Sequence, residues 1–220
     1  MRNRARVTGV YSRAERLSDA AVHVVGILLA LLAAPVLVTL AAVWLGDRSL
    51  VLAAIVYGLS LIAMLCASAL YHMTSAPDWK DRLRRLDQSA IYLKIAGTYT
   101  PFAVMSGPQA MPFLAGLWAA AAAGVSIKLI APRQLFGLTL ALYLAMGWAA
   151  VVAGAPILDR MTPEGFRLVL AGGSLYTIGV FFLIWERLPF HTTIWHVFVL
   201  TASLILYAAV LIEIAGLATA

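Results

Sequence analysis

Apolar residues run along the chain in long blocks, broken by short charged, polar or Gly- and Pro-containing stretches. The blocks fall at 20–45, 50–74, 88–106, 110–130, 135–153, 167–185 and 193–217. An α-helix needs about 20 mostly apolar residues to cross the hydrocarbon core of a bilayer, so the pattern predicts seven transmembrane helices. The connections between them, at 46–49, 75–87, 107–109, 131–134, 154–166 and 186–192, are too short for a soluble domain. The expected organisation is a single all-α, seven-helix membrane domain over residues 1–220, with a short basic segment at 1–17.

Composition strengthens this reading. With 63% hydrophobic and 12% charged residues and a mean hydropathy of +0.92, the chain is too apolar to hide its side chains in one soluble core. The net charge of +6 sits in clusters between apolar blocks, not on one soluble face, and argues for topology signals and against nucleic acid as a partner. The basic start imitates a signal peptide, but the apolar run from Ala20 to Leu45 exceeds a usual signal core and is expected to be a retained span. The single cysteine, Cys66, lies in an apolar stretch and leaves no intramolecular disulfide.

Positive loops are retained in the cytoplasm. Arg2, Arg4, Arg6, Arg13 and Arg16 precede the first block, and Lys80, Arg82, Arg84 and Arg85 join the second to the third. The opposite side carries Arg48, Arg160 and Arg167 beside Asp47, Asp159 and Glu164. A multi-pass protein of the cell's inner (plasma) membrane is expected, with the N-terminus cytoplasmic and the C-terminus outside. Small residues at 119–124 and 171–174 are expected at helix contacts.

An ionisable side chain at the centre of a span costs roughly 2.5–3.5 kcal/mol on insertion scales, so those present invite a functional reading. They are His23, His72, Asp87, Lys94, His196 and Glu213. In the expected topology His23, His72, Asp87 and His196 all come to the cytoplasmic ends of their helices. Either they sit in the headgroup region, where charge is cheap, or they gather around an ion. Zinc is the natural ion for imidazoles with a carboxylate. Ser68 shares a helical face with His72 at i, i+4, as Asp19 does with His23; Ser68 is either a hydrogen-bond partner of the site or a packing residue. Lys94 is expected to snorkel to the headgroups, Glu213 to be interfacial, and His23 to be a packing histidine.

Four segments, AERLSDAAVHVVG (14–26), SALYH (68–72), RRLDQSAIYLKIAGTYTPF (84–102) and LPFHTTIWHVFVLTAS (188–203), resemble the bacterial hemolysin III proteins. These belong to a larger set with the adiponectin and progestin receptors and the alkaline ceramidases. The resemblance runs nearly end to end and implies seven helices, a cytoplasmic N-terminus and a zinc site near the inner leaflet. It assigns Ser68 and His72 to the family's Ser-and-His motif, and Asp87 to an acidic residue that acts through water. The family's last motif is a pair of histidines four apart. The second falls on His196, the first on Thr192. His191 is next door, but i to i+5 turns it roughly 140° from His196 on an ideal helix. The expected repair is that His191 reaches the ion from an irregular first turn, with Thr192 and Thr193 as N-caps. His23 is the next candidate, and a degenerate site the third. Leu206 and Lys94 also depart from the usual family residues.

The implied function is a zinc-dependent, ceramidase-like hydrolase of an amide or ester in a membrane lipid. Its metal ligands would be His72, His196 and His191, with Asp87 and Ser68 as catalytic residues. The alternative is a non-enzymatic protein that forms a pore or modulates the membrane, as the name hemolysin suggests.

Overall fold

The computed structural model describes residues 11–130 and 136–219, the side chain of Phe136 excepted. Nine α-helices follow one another among these residues: α1 (Arg13–Trp44), α2 (Arg48–Met73), α3 (Pro77–Ser106), α4 (Met111–Ile130), α5 (Phe136–Gly147), α6 (Ala149–Ala153), α7 (Ala155–Leu158), α8 (Pro163–Ile184) and α9 (His191–Thr219). Five stretches are long and apolar enough to cross a membrane: α1, α2, the run Pro108–Ile130 that includes α4, α8 and α9.

Local chemistry sets the helix ends. Ser12 and Glu15 form a reciprocal capping box at the start of α1. Asp47 caps α2, where the Ser49 hydroxyl and the Ser49 and Leu50 amides hold its carboxyl below the usual range. Thr162 caps α8, and Pro163 takes the first helical position, where no N–H is needed.

The basic stretch expected to be a connection at 75–87 is helical from Pro77 onward. Its charges hide it from a reading of apolar blocks, but Pro77 starts a helix well and Arg84 pairs with Asp81 at i, i+3. The block at 135–153 is broken in two, α5 and α6, instead of continuous, and the short α7 follows just beyond it. At the break the Tyr99 hydroxyl donates to Gly147 O at 2.7 Å and accepts from Ala150 N at 3.4 Å. This one side chain occupies backbone groups that the broken helix leaves open, which lets irregular backbone persist inside an apolar bundle.

The helices pack as α1 on α2 and α9, α2 on α3, α3 on α4, and α8 on α9. Small residues set the close approaches. A Cβ at Gly97 would collide with the Ser60 hydroxyl of α2, and one at Gly124 would come within 2.5 Å of the Tyr92 ring. Large apolar side chains such as Leu32, Val43, Leu59, Ile130 and Phe181 point outward. An outward apolar surface around a bundle fits lipid as the solvent.

Two ionisable residues depart from expectation. Lys94 does not snorkel: it is buried, with its Nζ donating to Thr98 Oγ1. Glu213 is buried too, accepting from Thr162 N at 3.0 Å and Thr162 Oγ1 at 2.7 Å. In both, a neighbouring polar group within the bundle replaces the aqueous interface.

Candidate metal centre

Four side chains from three helices meet at the end of the bundle that holds the N-termini of α1 and α9 and the C-terminus of α2. Asp19 and His23 stand one turn apart on α1, His72 is in the last turn of α2, and His196 is in the second turn of α9. Their ligand atoms all lie within 4.8 Å of one another. Asp19, His23 and His196 are buried and His72 is half-buried.

Asp19 is the hub. His196 Nδ1–H donates to Asp19 Oδ1 at 2.6 Å, while Oδ2 lies 3.3 Å from His72 Nδ1 and 3.6 Å from His23 Nε2. The imidazoles are in mutual contact, with ring centroids 4.3 Å apart for His23 and His196 and 4.5 Å for His72 and His196. Ser68, one turn before His72 on α2, places its Oγ 3.5 Å from His196 Nε2.

Whether this group suits a metal can be judged from its own chemistry. His23 Nε2 is buried with no hydrogen-bond partner, an unmet need that a cation would answer. Three imidazoles and a carboxylate are borderline-soft and hard donors of the kind zinc takes. Donors about 2.0–2.1 Å from zinc stand roughly 3.3 Å apart in a tetrahedron, close to the separations Asp19 makes with His72 and His23. The group is thus capable of coordinating a metal ion. The direct Asp19–His196 contact has a further use, because a carboxylate on one ring nitrogen fixes the tautomer and frees the other nitrogen.

A cavity of about 390 Å³ opens beside the cluster, lined by Ser68, His72, Asp87, Lys128, His191 and His196 among others. Asp87 is in the third turn of α3, half-buried, and faces Ser68. It is outside the group of four but on the wall of the same cavity.

His191 is also on that wall and outside the group. Its Nε2 is 3.3 Å from both the Tyr11 hydroxyl and Thr192 Oγ1, and its ring stacks on Tyr11. The irregular first turn expected of the last helix is absent, because α9 is helical from His191 itself. Phe190, at φ 59°, makes the turn before it, and Thr192 and Thr193 lie inside the helix instead of capping it. On a regular helix His191 and His196 face different directions, so His191, though buried, turns to Tyr11 and not to the group of four.

The structure thus brings His72 and His196 together with His23 and Asp19, adds Ser68 at their edge with Asp87 facing it on the cavity wall, and leaves His191 outside the group. Asp19 is not among the site residues expected from the sequence. The signal for it was its i, i+4 pairing with His23 near the start of a span.

Fold and site define an all-α, membrane-embedded bundle with a buried cluster of three histidines and an aspartate capable of holding a metal. The chain belongs to the Haemolysin-III related family, which matches it over residues 12–207. It is similar to Hemolysin-3 of Bacillus cereus, with 39% identity over 199 residues that cover 90% of each chain. It is similar also to the Hemolysin-3 homolog of Bacillus subtilis (strain 168), with 35% identity over 90% of this chain and 93% of that one. The human Monocyte to macrophage differentiation factor is 29% identical over 166 residues, 70% of this chain and 67% of that one.

Proposed function

We propose that this protein is a zinc-dependent hydrolase of an amide or ester in a membrane lipid, working at the inner leaflet of the cell membrane. The observation that carries the proposal is the convergence of Asp19, His23, His72 and His196 beside a 390 Å³ cavity that also presents Ser68 and Asp87. In this reading the chain crosses the membrane seven times. α3 and the broken run α5 to α7 join the five apolar spans, the N-terminus is cytoplasmic and the C-terminus outside.

His23, His72 and His196 would hold the ion, with Asp19 as a fourth ligand or as the group that orients their rings. Zinc so held supplies Lewis acidity and lowers the pKa of water. The residues of the chain do the rest. Asp87 accepts the proton of the attacking water, a role suited to a carboxylate on the cavity wall that is not tied into the cluster. Ser68 donates a hydrogen bond to the oxygen on which charge develops. The cavity holds the lipid's reacting bond away from bulk water.

The name of the relatives favours a second reading, cytolysis by a non-enzymatic membrane protein. Against it, the described cavity walls show no ring of like charges such as lines an ion pore. One set of measurements separates the two: metal content, release of fatty acid from amide and ester lipids, and leakage of liposomes containing the purified protein. The expected result is one zinc per chain, hydrolysis lost with His72→Ala and His196→Ala, and Asp87→Asn lowering turnover by about 10²–10⁴-fold with zinc retained. Leakage without hydrolysis, unaffected by these changes, would overturn the hydrolase reading.

A further inference from the structure

Lys94 has no part in the metal centre and no obvious structural reason to be a lysine. It lies in the apolar part of α3 and is 3% exposed. Its Nζ donates to Thr98 Oγ1, whose own O–H is engaged by the Lys94 carbonyl at 2.7 Å. The same Nζ lies 4.7 Å from the centroid of the Tyr57 ring. Among the described residues no carboxylate pairs with it. An ammonium has three N–H donors, so two are left without an oxygen or nitrogen acceptor among the described residues. Tyr57 is fully buried and its hydroxyl also lacks a hydrogen-bond partner.

Lys94 and Thr98 form part of the wall of a second cavity, of about 140 Å³, whose other walls are mostly apolar, with Phe102, Trp148 and Leu158 among them. It adjoins the cavity of the metal centre, sharing Met64, Ile91, Tyr143, Tyr176 and Trp195 with it. A buried cation without a counter-ion is costly in so apolar a setting, and a ligand that brings both an anion and a hydrocarbon chain would meet the amine and the wall together.

We infer that Lys94 anchors the carboxylate of a single-chain amphiphile whose hydrocarbon chain lies in the apolar cavity. A carboxylate matches the two spare N–H groups of the Lys94 ammonium on the cavity wall. A phosphate, bulkier and more highly charged, would find too few donors. A neutral alcohol or amide would leave the ammonium uncompensated. The site uses residues separate from the His and Asp cluster and stands whether or not the protein is a hydrolase.

The test uses the full-length protein in phosphatidylcholine nanodiscs, treated with a chelator so that no metal in the His and Asp cluster competes for the ligand. Decanoate is titrated by calorimetry and by thermal shift, with protein-free discs as the blank and decanol and decyltrimethylammonium as matched chains. Decanoate should bind and stabilise, and the two comparison amphiphiles should bind about tenfold to a hundredfold more weakly, as should decanoate to Lys94→Met. Methionine is unbranched and apolar and fills similar space. The double variant His72→Ala, His196→Ala should bind decanoate like the parent. Equal binding of decanoate and decanol, or full binding by Lys94→Met, would overturn the site. Should Lys94→Met fail to fold, Thr98→Val decides, since losing the acceptor that aims the amine should weaken decanoate several-fold and leave decanol unchanged. Equal weakening of both would count against the inference.

Discussion

Asp19 Oδ1 and His196 Nδ1 lie 2.6 Å apart although 177 residues separate them in sequence. The contact joins the second turn of the first helix to the second turn of the last. Because the other oxygen of the same carboxylate faces His72 and His23, one side chain sets the spacing of α1, α2 and α9 at this end of the bundle.

Asp19→Asn keeps the size of that side chain and removes its charge. Zinc affinity is expected to fall by about 10–100-fold, the usual cost of losing a partner that orients metal-binding imidazoles, and by more if the carboxylate is itself a ligand. Competitive zinc titration on the purified variant measures this. Unchanged affinity would make Asp19 a bystander.

His23 and His191 make opposite predictions. His23 Nε2 is buried without a hydrogen bond inside the cluster, 3.6 Å from Asp19 Oδ2, whereas His191 Nε2, also buried, faces Tyr11 and Thr192 outside it. His23→Ala should weaken zinc binding by more than the roughly 10–100-fold expected of an outer partner, and His191→Ala should leave it within a few-fold of the parent. The reverse ranking in the same titration would mean that the ring of His191 turns inward when metal is present.

This pair also shows how far the residues could be read without coordinates. That His72, Asp87 and His196 would share one end of an all-α membrane bundle followed from apolar block lengths and the placement of arginines. Which histidine stands beside them did not, because it depends on the residue at which α9 begins. That start is set by the left-handed turn at Phe190 and by Glu15 of α1 accepting from the Phe190 amide, a contact between the two ends of the chain. The helical stretch from Pro77 to Asp87 was hidden for another reason, since its polar residues carry no apolar block. Lys94 was misplaced because snorkelling presumes that no hydroxyl or aromatic face is at hand within the bundle, and Thr98 and Tyr57 supply both.

The proposed topology places the basic start of α3 in the cytoplasm together with the N-terminus. Reporter domains fused after Ala220 should be active only outside the cell, and cysteine introduced at Asp78 should be labelled only after the membrane is breached. A C-terminal reporter active in the cytoplasm would remove one crossing from the proposed seven, and the broken run α5 to α7 would be the first to re-examine.

At the far end of α9, Glu213 and Gly165 form a pair whose coupling can be measured. Glu213 Oε1 accepts from both the amide and the hydroxyl of Thr162, and Thr162 Oγ1 in turn accepts from Gly165 N at 3.0 Å. The carboxylate therefore sits on the N-terminus of α8, where the helix dipole favours negative charge. A Cβ at Gly165 would collide with Glu213 Oε1, so Gly165→Ala must push that oxygen off its two donors. The expected loss of stability is about 1–3 kcal/mol. Glu213→Ala should cost a similar ~1–3 kcal/mol by leaving those donors unmet. Once Glu213 is truncated, however, the added methyl has room, and the double variant should be more stable than the sum of the single losses implies, by at least about 0.5 kcal/mol. Thermal unfolding of the four proteins in one detergent supplies the cycle. Zinc binding should be unchanged throughout, because Glu213 lies 17 residues beyond His196 in sequence, about 25 Å along the helix at 1.5 Å per residue. Strict additivity would mean that Gly165 is there for another neighbour, and a loss of zinc would mean that the two ends of α9 are mechanically linked.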